Sequence, residues 1–315
     1  MRRAADLGWR AWLGILSSAL FAAYFLHFVF RTLSAEGLSE LLRAESIVAL
    51  VVASAIYIII IPSSGIAWSW LLSDMGVTWP WGKSAAVIGT TQIAKYVPGN
   101  VAQHLGRAAL ALPQRMPVDV FGGSLLLETL LTSVSALLIG IMGWSWMRGT
   151  AGGDIVSSLF LTGIILLVAV PACVLAFRLL IGLRRRMRWV AKWISADLRF
   201  PRLATLLRVV LAYCLNFFVL GLALLVVCRV LGPSGRPDYL LLTGAFALAW
   251  LAGYLAPGLP AGMGAREGVL SALLADQFPG SELLNILLGM RLATVLGDVL
   301  SFALGLWLAR RYLRK

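Results

Sequence analysis

The sequence predicts an all-α polytopic membrane protein with about six spanning helices and two re-entrant helical hairpins, partners in an inverted repeat. Three observations predict it. Hydrophobic residues make up 60% of the 315-residue chain and only 13% are charged, far too apolar a balance for a soluble domain to hide. Six apolar runs reach the roughly 20 residues a helix needs to cross the hydrocarbon core. Two further apolar stretches are broken in the middle by Pro-Gly pairs.

The six runs cover about 12–30, 47–72, 119–146, 156–181, 204–231 and 283–309. The first follows a basic start but lacks a small-x-small cleavage site, so it reads as a retained span rather than a signal peptide. Trp9, Trp79, Trp81, Trp144, Trp146, Trp189, Trp193 and Trp307 fall near run ends, where aromatic rings anchor at the interface. Gly140 and Gly143 read as helix-packing positions.

The broken stretches run over 84–112, with its tip at Tyr96-Val97-Pro98-Gly99-Asn100, and over 239–278, with its tip at Ala256 to Gly262. Lipid satisfies no free N–H or C=O group, so irregular backbone at that depth must be buried in protein or line a water-filled cavity. Pro98 precedes Arg107, and Pro257 precedes Arg266, by the same nine residues. The chain therefore reads as one membrane domain, 1–315, holding repeat 1 at 47–146 and repeat 2 at 204–312, with the basic segment 182–203 between them. Hairpins entering from opposite sides make the repeats inverted, as in many secondary transporters.

A net charge of +13 is compatible with nucleic acid, a membrane surface or an anionic substrate, and its placement decides. Arg2, Arg3 and Arg10, the cluster Arg184 to Arg202, and Arg310, Arg311, Arg314 and Lys315 all flank apolar runs. They signal topology beside anionic lipid, with both termini cytoplasmic in a cell inner membrane, and not a nucleic-acid groove. Trp189 and Trp193 among these charges make the segment an amphipathic helix on the cytoplasmic leaflet.

Charged residues inside the apolar stretches carry the functional reading, because a charge at the bilayer centre costs about 2.5–3.5 kcal/mol even on the lenient insertion scale and needs a partner or a wet cavity. Asn100, Gln103, His104 and Arg107 share one face of the short helix after the first tip, with Asn100 placed to cap it. Lys95 precedes that tip, and Arg266 and Glu267 follow the second. These seven are the candidate substrate-binding residues. Glu128, Arg291 and Asp298 are the structural or coupling charges; Glu128 and Arg291 are placed to pair with each other across the repeat interface, and Arg266 with Glu267 within the hairpin. Glu128, Glu267 and Asp298 are candidate proton carriers.

Cys173, Cys214 and Cys228 sit in apolar runs without metal-ligand spacing, and the chain holds only His27 and His104. With no Walker loop, HExxH or GxSxG motif, the sequence predicts neither a metal nor a cofactor, and no catalytic residue.

Lys95-Tyr96-Val97-Pro98-Gly99-Asn100 with Gly106-Arg107, and the run from Pro260 to Gly268, resemble the two signatures of the lysylphosphatidylglycerol synthase transmembrane region, the flippase-like or YbhN-like family. The resemblance extends from the second span to the last; Ala261 and Met263 depart from the commoner Gly and β-branched or Leu residues of that family. In fused members the membrane domain is thought to move aminoacylated phosphatidylglycerol between leaflets while a soluble domain attaches the amino acid. The resemblance thus implies a stand-alone flippase-like protein without the synthase domain. Its expected partners are a membrane phospholipid or polyprenyl-phosphate lipid and a glycosyltransferase or lipid-modifying enzyme. A membrane-embedded transferase, or a glycosyltransferase accessory, is the alternative.

Overall fold

The computed structural model describes residues 39–97, 101–150, 199–236, 238–256 and 259–313. Among them the chain is all-helical, with four helices long and apolar enough to cross a membrane: Ala44–Asp74, Val118–Trp146, Leu203–Leu231 and Gly280–Tyr312. These correspond to four of the six expected spans. The spans expected at 12–30 and 156–181, most of the basic segment, Cys173 and both Pro-Gly tips lie outside the described residues.

The first span divides into α1, Ala44–Ile58, and α2, Ile60–Asp74. Pro62 explains the break, since it lacks an N–H and its ring crowds the carbonyl four residues earlier. Next come α3, Trp81–Thr91, continued by a 3-10 turn over Gln92–Tyr96, and α4, Ala102–Ala111. At 1.5 Å per residue these two helices are each only about 15 Å long, half the hydrocarbon thickness. Helix α5 covers Val118–Thr150 and α6 Leu203–Leu231.

The second broken segment repeats the pattern with α7, Tyr239–Leu255, a 3-10 turn at Pro260–Gly262, and α8, Ala265–Leu274. Asp238 caps α7 by accepting from the N–H groups of Leu240 and Leu241 at 2.8 and 3.1 Å. Gly264, with φ +84°, occupies backbone space that a side chain would resist, and its N–H donates to Glu267 Oε2 at 2.7 Å, which caps α8. Helix α9, Gly280–Tyr312, ends the fold.

Small residues decide how these helices meet. α3 lies along α9 where Gly89 faces Gly305, so closely that a methyl on Gly89 would stand 2.8 Å from the Gly305 Cα and 2.9 Å from the Ser301 carbonyl. α7 lies along α5 in the same manner, a methyl on Gly143 standing 2.7 Å from the Gly244 Cα and from the Leu240 carbonyl. Backbones can approach this closely only where both residues lack Cβ. Each broken segment thus lays its first helix on the long helix that follows the other. We expect Gly143→Ala to destabilise the protein by about 1–3 kcal/mol, read as a lowered melting temperature in detergent. Gly122→Ala on the same helix, with nothing within 4 Å of the added methyl, should leave it unchanged.

Two apolar cores form on either side of the bundle, one around Trp68, Leu71 and Leu127, the other around Phe246, Leu224 and Leu242. Leu203, Leu207, Leu211, Leu215 and Leu222 mark the outer face of α6, where exposed apolar side chains suit hydrocarbon. Trp81, Trp144, Trp146 and Trp307 are exposed as expected of anchors, whereas Trp79 is buried. Trp79 packs into the first core and carries Lys83 over its ring at 5.1 Å, so it is a packing residue rather than an interfacial one.

Candidate functional site

Between the two cores lies a cavity of about 190 Å³, lined from α1, α2, the first broken segment, α5, α6, the second broken segment and α9. Lys95, Gln103, His104, Arg107, Glu128, Arg266, Arg291 and Asp298 all line it. Glu267 stands at its edge, against a smaller recess shared with Arg266 and Arg291. Asn100, expected to cap the short helix, lies outside the described residues; α4 has Val101 at its N-cap position.

Three ion pairs organise the cavity. Arg107 on α4 reaches Glu128 on α5, one guanidinium nitrogen donating to both carboxylate oxygens at 3.0 and 2.8 Å. Arg291 on α9 reaches Glu267 on α8 at 3.4 Å and also donates to the Ala261 carbonyl at 3.4 Å. Lys95 meets Asp298 at 2.7 Å. Glu128 and Arg291 therefore do not pair with each other. Each instead fastens the short helix of the broken segment just before it, because α4 and α8 bring their charges within reach first. Glu267 likewise leaves its neighbour Arg266, since adjacent positions on a helix point in different directions.

Asp298 is the most heavily used group. Its Oδ1 accepts from Tyr57 at 2.8 Å, from Lys95 and from Gln92 at 3.3 Å, and its Oδ2 accepts from Tyr96 at 2.5 Å. A carboxylate that is 1% exposed is thus matched by four donors from two other elements. Arg291, Thr294, Asp298 and Ser301 form a polar stripe along α9 that is buried throughout.

Arg266 differs from the other cations. Its guanidinium sits 4.3 Å from the centre of the Phe246 ring, and among the described residues it has no acidic partner. Arg291 stands close enough to repel it and Glu267 close enough to attract it, but neither is in ion-pair contact with it. Gln103 and His104 face each other at 3.4 Å beside Arg107.

Several lining residues are absent from the candidates that sequence reasoning singles out, although Tyr96 belongs to the first tip motif. Tyr57, Gln92 and Tyr96 surround Asp298, and Trp250 stacks on Tyr254 at 4.9 Å. Aromatic residues in apolar runs look like packing residues unless something marks the face they share. The one usable signal was helical spacing, since Gln92 precedes Tyr96 by one turn. Among the described residues no group of His, Cys, Asp and Glu is placed to hold a metal ion. The family described as lysylphosphatidylglycerol synthase TM region matches residues 12–301. No curated protein matches the sequence.

Proposed function

Because the chain belongs to the lysylphosphatidylglycerol synthase transmembrane-region family, we propose that it is a flippase that carries lipid head groups between the leaflets of a cell inner membrane. The observation that carries this reading is the charged cavity built where both broken segments meet. A bundle with lipid-facing flanks has no reason to keep four cations and three carboxylates at its centre unless something polar passes or binds there. The cavity is smaller than the roughly 300 Å³ at which pockets begin to hold drug-sized ligands. It suits a head group whose acyl or prenyl tails stay in the bilayer.

In this reading the broken segments are re-entrant hairpins, six helices span the membrane, and both termini face the cytoplasm. The crosswise packing of α3 on α9 and α7 on α5 supports two inverted halves, which rock against one another to open the cavity to either side. A transferase has less to recommend it, since each carboxylate at the cavity is held in an ion pair and none is placed as a free base.

The test is leaflet exchange of labelled phospholipids and polyprenyl-phosphate lipids in proteoliposomes. The folded protein should accelerate exchange of at least one lipid well above protein-free vesicles. Absence of exchange for every lipid, in protein shown to be folded and inserted, would turn the assignment toward the accessory-partner alternative. Cysteine accessibility gives an independent check on topology, with residues beside the two tips expected to label from opposite sides of the membrane.

A further inference from the structure

Building on the flippase reading, we propose that the transported head group is a net-anionic phosphate rather than a cationic aminoacyl ester, and that Arg266 is the residue that selects it. The inference comes from the charge balance of the cavity. Lys95, Arg107 and Arg291 are each matched by one carboxylate. Arg266 is the cation left over among the described residues.

Every carboxylate oxygen at the cavity is already occupied. Both oxygens of Glu128 accept from Arg107. Glu267 divides its two between the Gly264 N–H and Arg291. Asp298 commits one to Tyr57, Lys95 and Gln92 and the other to Tyr96. A lysyl ester of a phosphatidyl head group brings two ammonium groups against a single phosphate. Its two ammonium groups would enter a cavity whose cations already outnumber its carboxylates, and so meet net repulsion rather than a free counter-charge.

Aromatic rings offer little alternative. Tyr57 and Tyr96 already take Lys95 over their faces, at 5.6 and 5.7 Å, and Trp250 is covered by Tyr254. A phosphate meets the opposite situation. Among the described residues no acceptor is in hydrogen-bond or ion-pair contact with the planar donor fork of Arg266, and Arg291 stands beside it to reinforce the field. The phosphate of an anionic glycerophospholipid and that of a polyprenyl phosphate share this chemistry.

The experiment uses the full chain in two formats. In proteoliposomes, leaflet exchange is compared for labelled phosphatidylglycerol, lysylphosphatidylglycerol and a polyprenyl phosphate. In detergent, the same three head groups on short chains are titrated and binding is followed by intrinsic tryptophan fluorescence. We expect at least one anionic probe to be favoured over the lysylated one by about tenfold or more, and Arg266→Gln to reduce that preference to within about twofold, with Arg266→Lys intermediate because it keeps the charge and loses the planar fork. Which anionic probe responds separates the two lipid sources.

Equal or stronger binding and exchange of the lysylated probe would overturn the proposal, as would a preference unchanged in Arg266→Gln. No binding of any probe to the folded protein would overturn it too. Selective, Arg266-dependent binding without exchange would uphold the anionic site and remove the flippase reading instead. Arg266→Gln should fold, because it removes a charge that has no acidic partner.

Discussion

Asp298→Ala is expected to lower the stability of the folded protein by about 3–5 kcal/mol, the range seen when one partner of a buried ion pair is removed. The substitution strands Lys95, whose side chain is 19% exposed against 1% for Asp298, and takes the acceptor from Tyr57, Gln92 and Tyr96 as well. Lost acceptors matter in proportion to how little water can replace them. The companion measurement is the double variant Lys95→Met/Asp298→Leu. Removing both charges should cost less than Asp298→Ala alone, since apolar replacements of a buried pair are often close to neutral. Unfolding in detergent would read both, and a double variant at least as unstable as the single one would show that Asp298 acts through something other than this pair.

The second large effect is expected at Arg107 and Glu128. Arg107→Ala leaves the Glu128 carboxylate buried without its one ion-pair partner among the described residues, the two residues being 8% and 9% exposed, and should also cost about 3–5 kcal/mol. The opposite half of the molecule suggests the rescue. There the short helix carries the carboxylate, Glu267, and the long helix carries the guanidinium, Arg291. The fold therefore tolerates either polarity between a short helix and the span that follows it. Exchanging the charges as Arg107→Glu/Glu128→Arg should recover part of the loss, with a coupling energy of about 0.5–3 kcal/mol in a double-mutant cycle. A coupling energy of zero would mean that the two residues are placed together without holding the helices together.

Much of the architecture could be read from the chain because a bilayer makes hydropathy almost literal. The runs at 47–72, 119–146, 204–231 and 283–309 correspond to helices Ala44–Asp74, Val118–Trp146, Leu203–Leu231 and Gly280–Tyr312. Buried charges were legible for the same reason. Arg107, Glu128, Arg291 and Asp298 stand out in apolar surroundings, and all four are buried at the cavity. Their pairing was not legible. Lys95 and Asp298 are 203 residues apart, and nothing local distinguishes Arg107 from Arg291 as the partner of Glu128. Choosing between them requires knowing that α4 is placed where Arg107 reaches α5, which depends on backbone in the broken segments. Tyr57 and Tyr96 escaped for a different reason. A tyrosine in an apolar run is ordinary packing until a carboxylate is seen to face its hydroxyl.

The crosswise packing of the broken segments has a consequence for how the protein is made. Lys95 is synthesised 203 residues ahead of Asp298. At ribosomal rates of about 5–20 residues per second, that interval is roughly 10–40 s. During that time Lys95 on the 3-10 turn lacks its ion-pair partner and α3 lacks the glycine face of α9 to lie against. The first broken segment therefore spends that interval with Lys95 unmatched by Asp298, until the final helix emerges. A nascent chain stalled before residue 298 should consequently be open to proteolysis near residue 95 and become resistant only on completion.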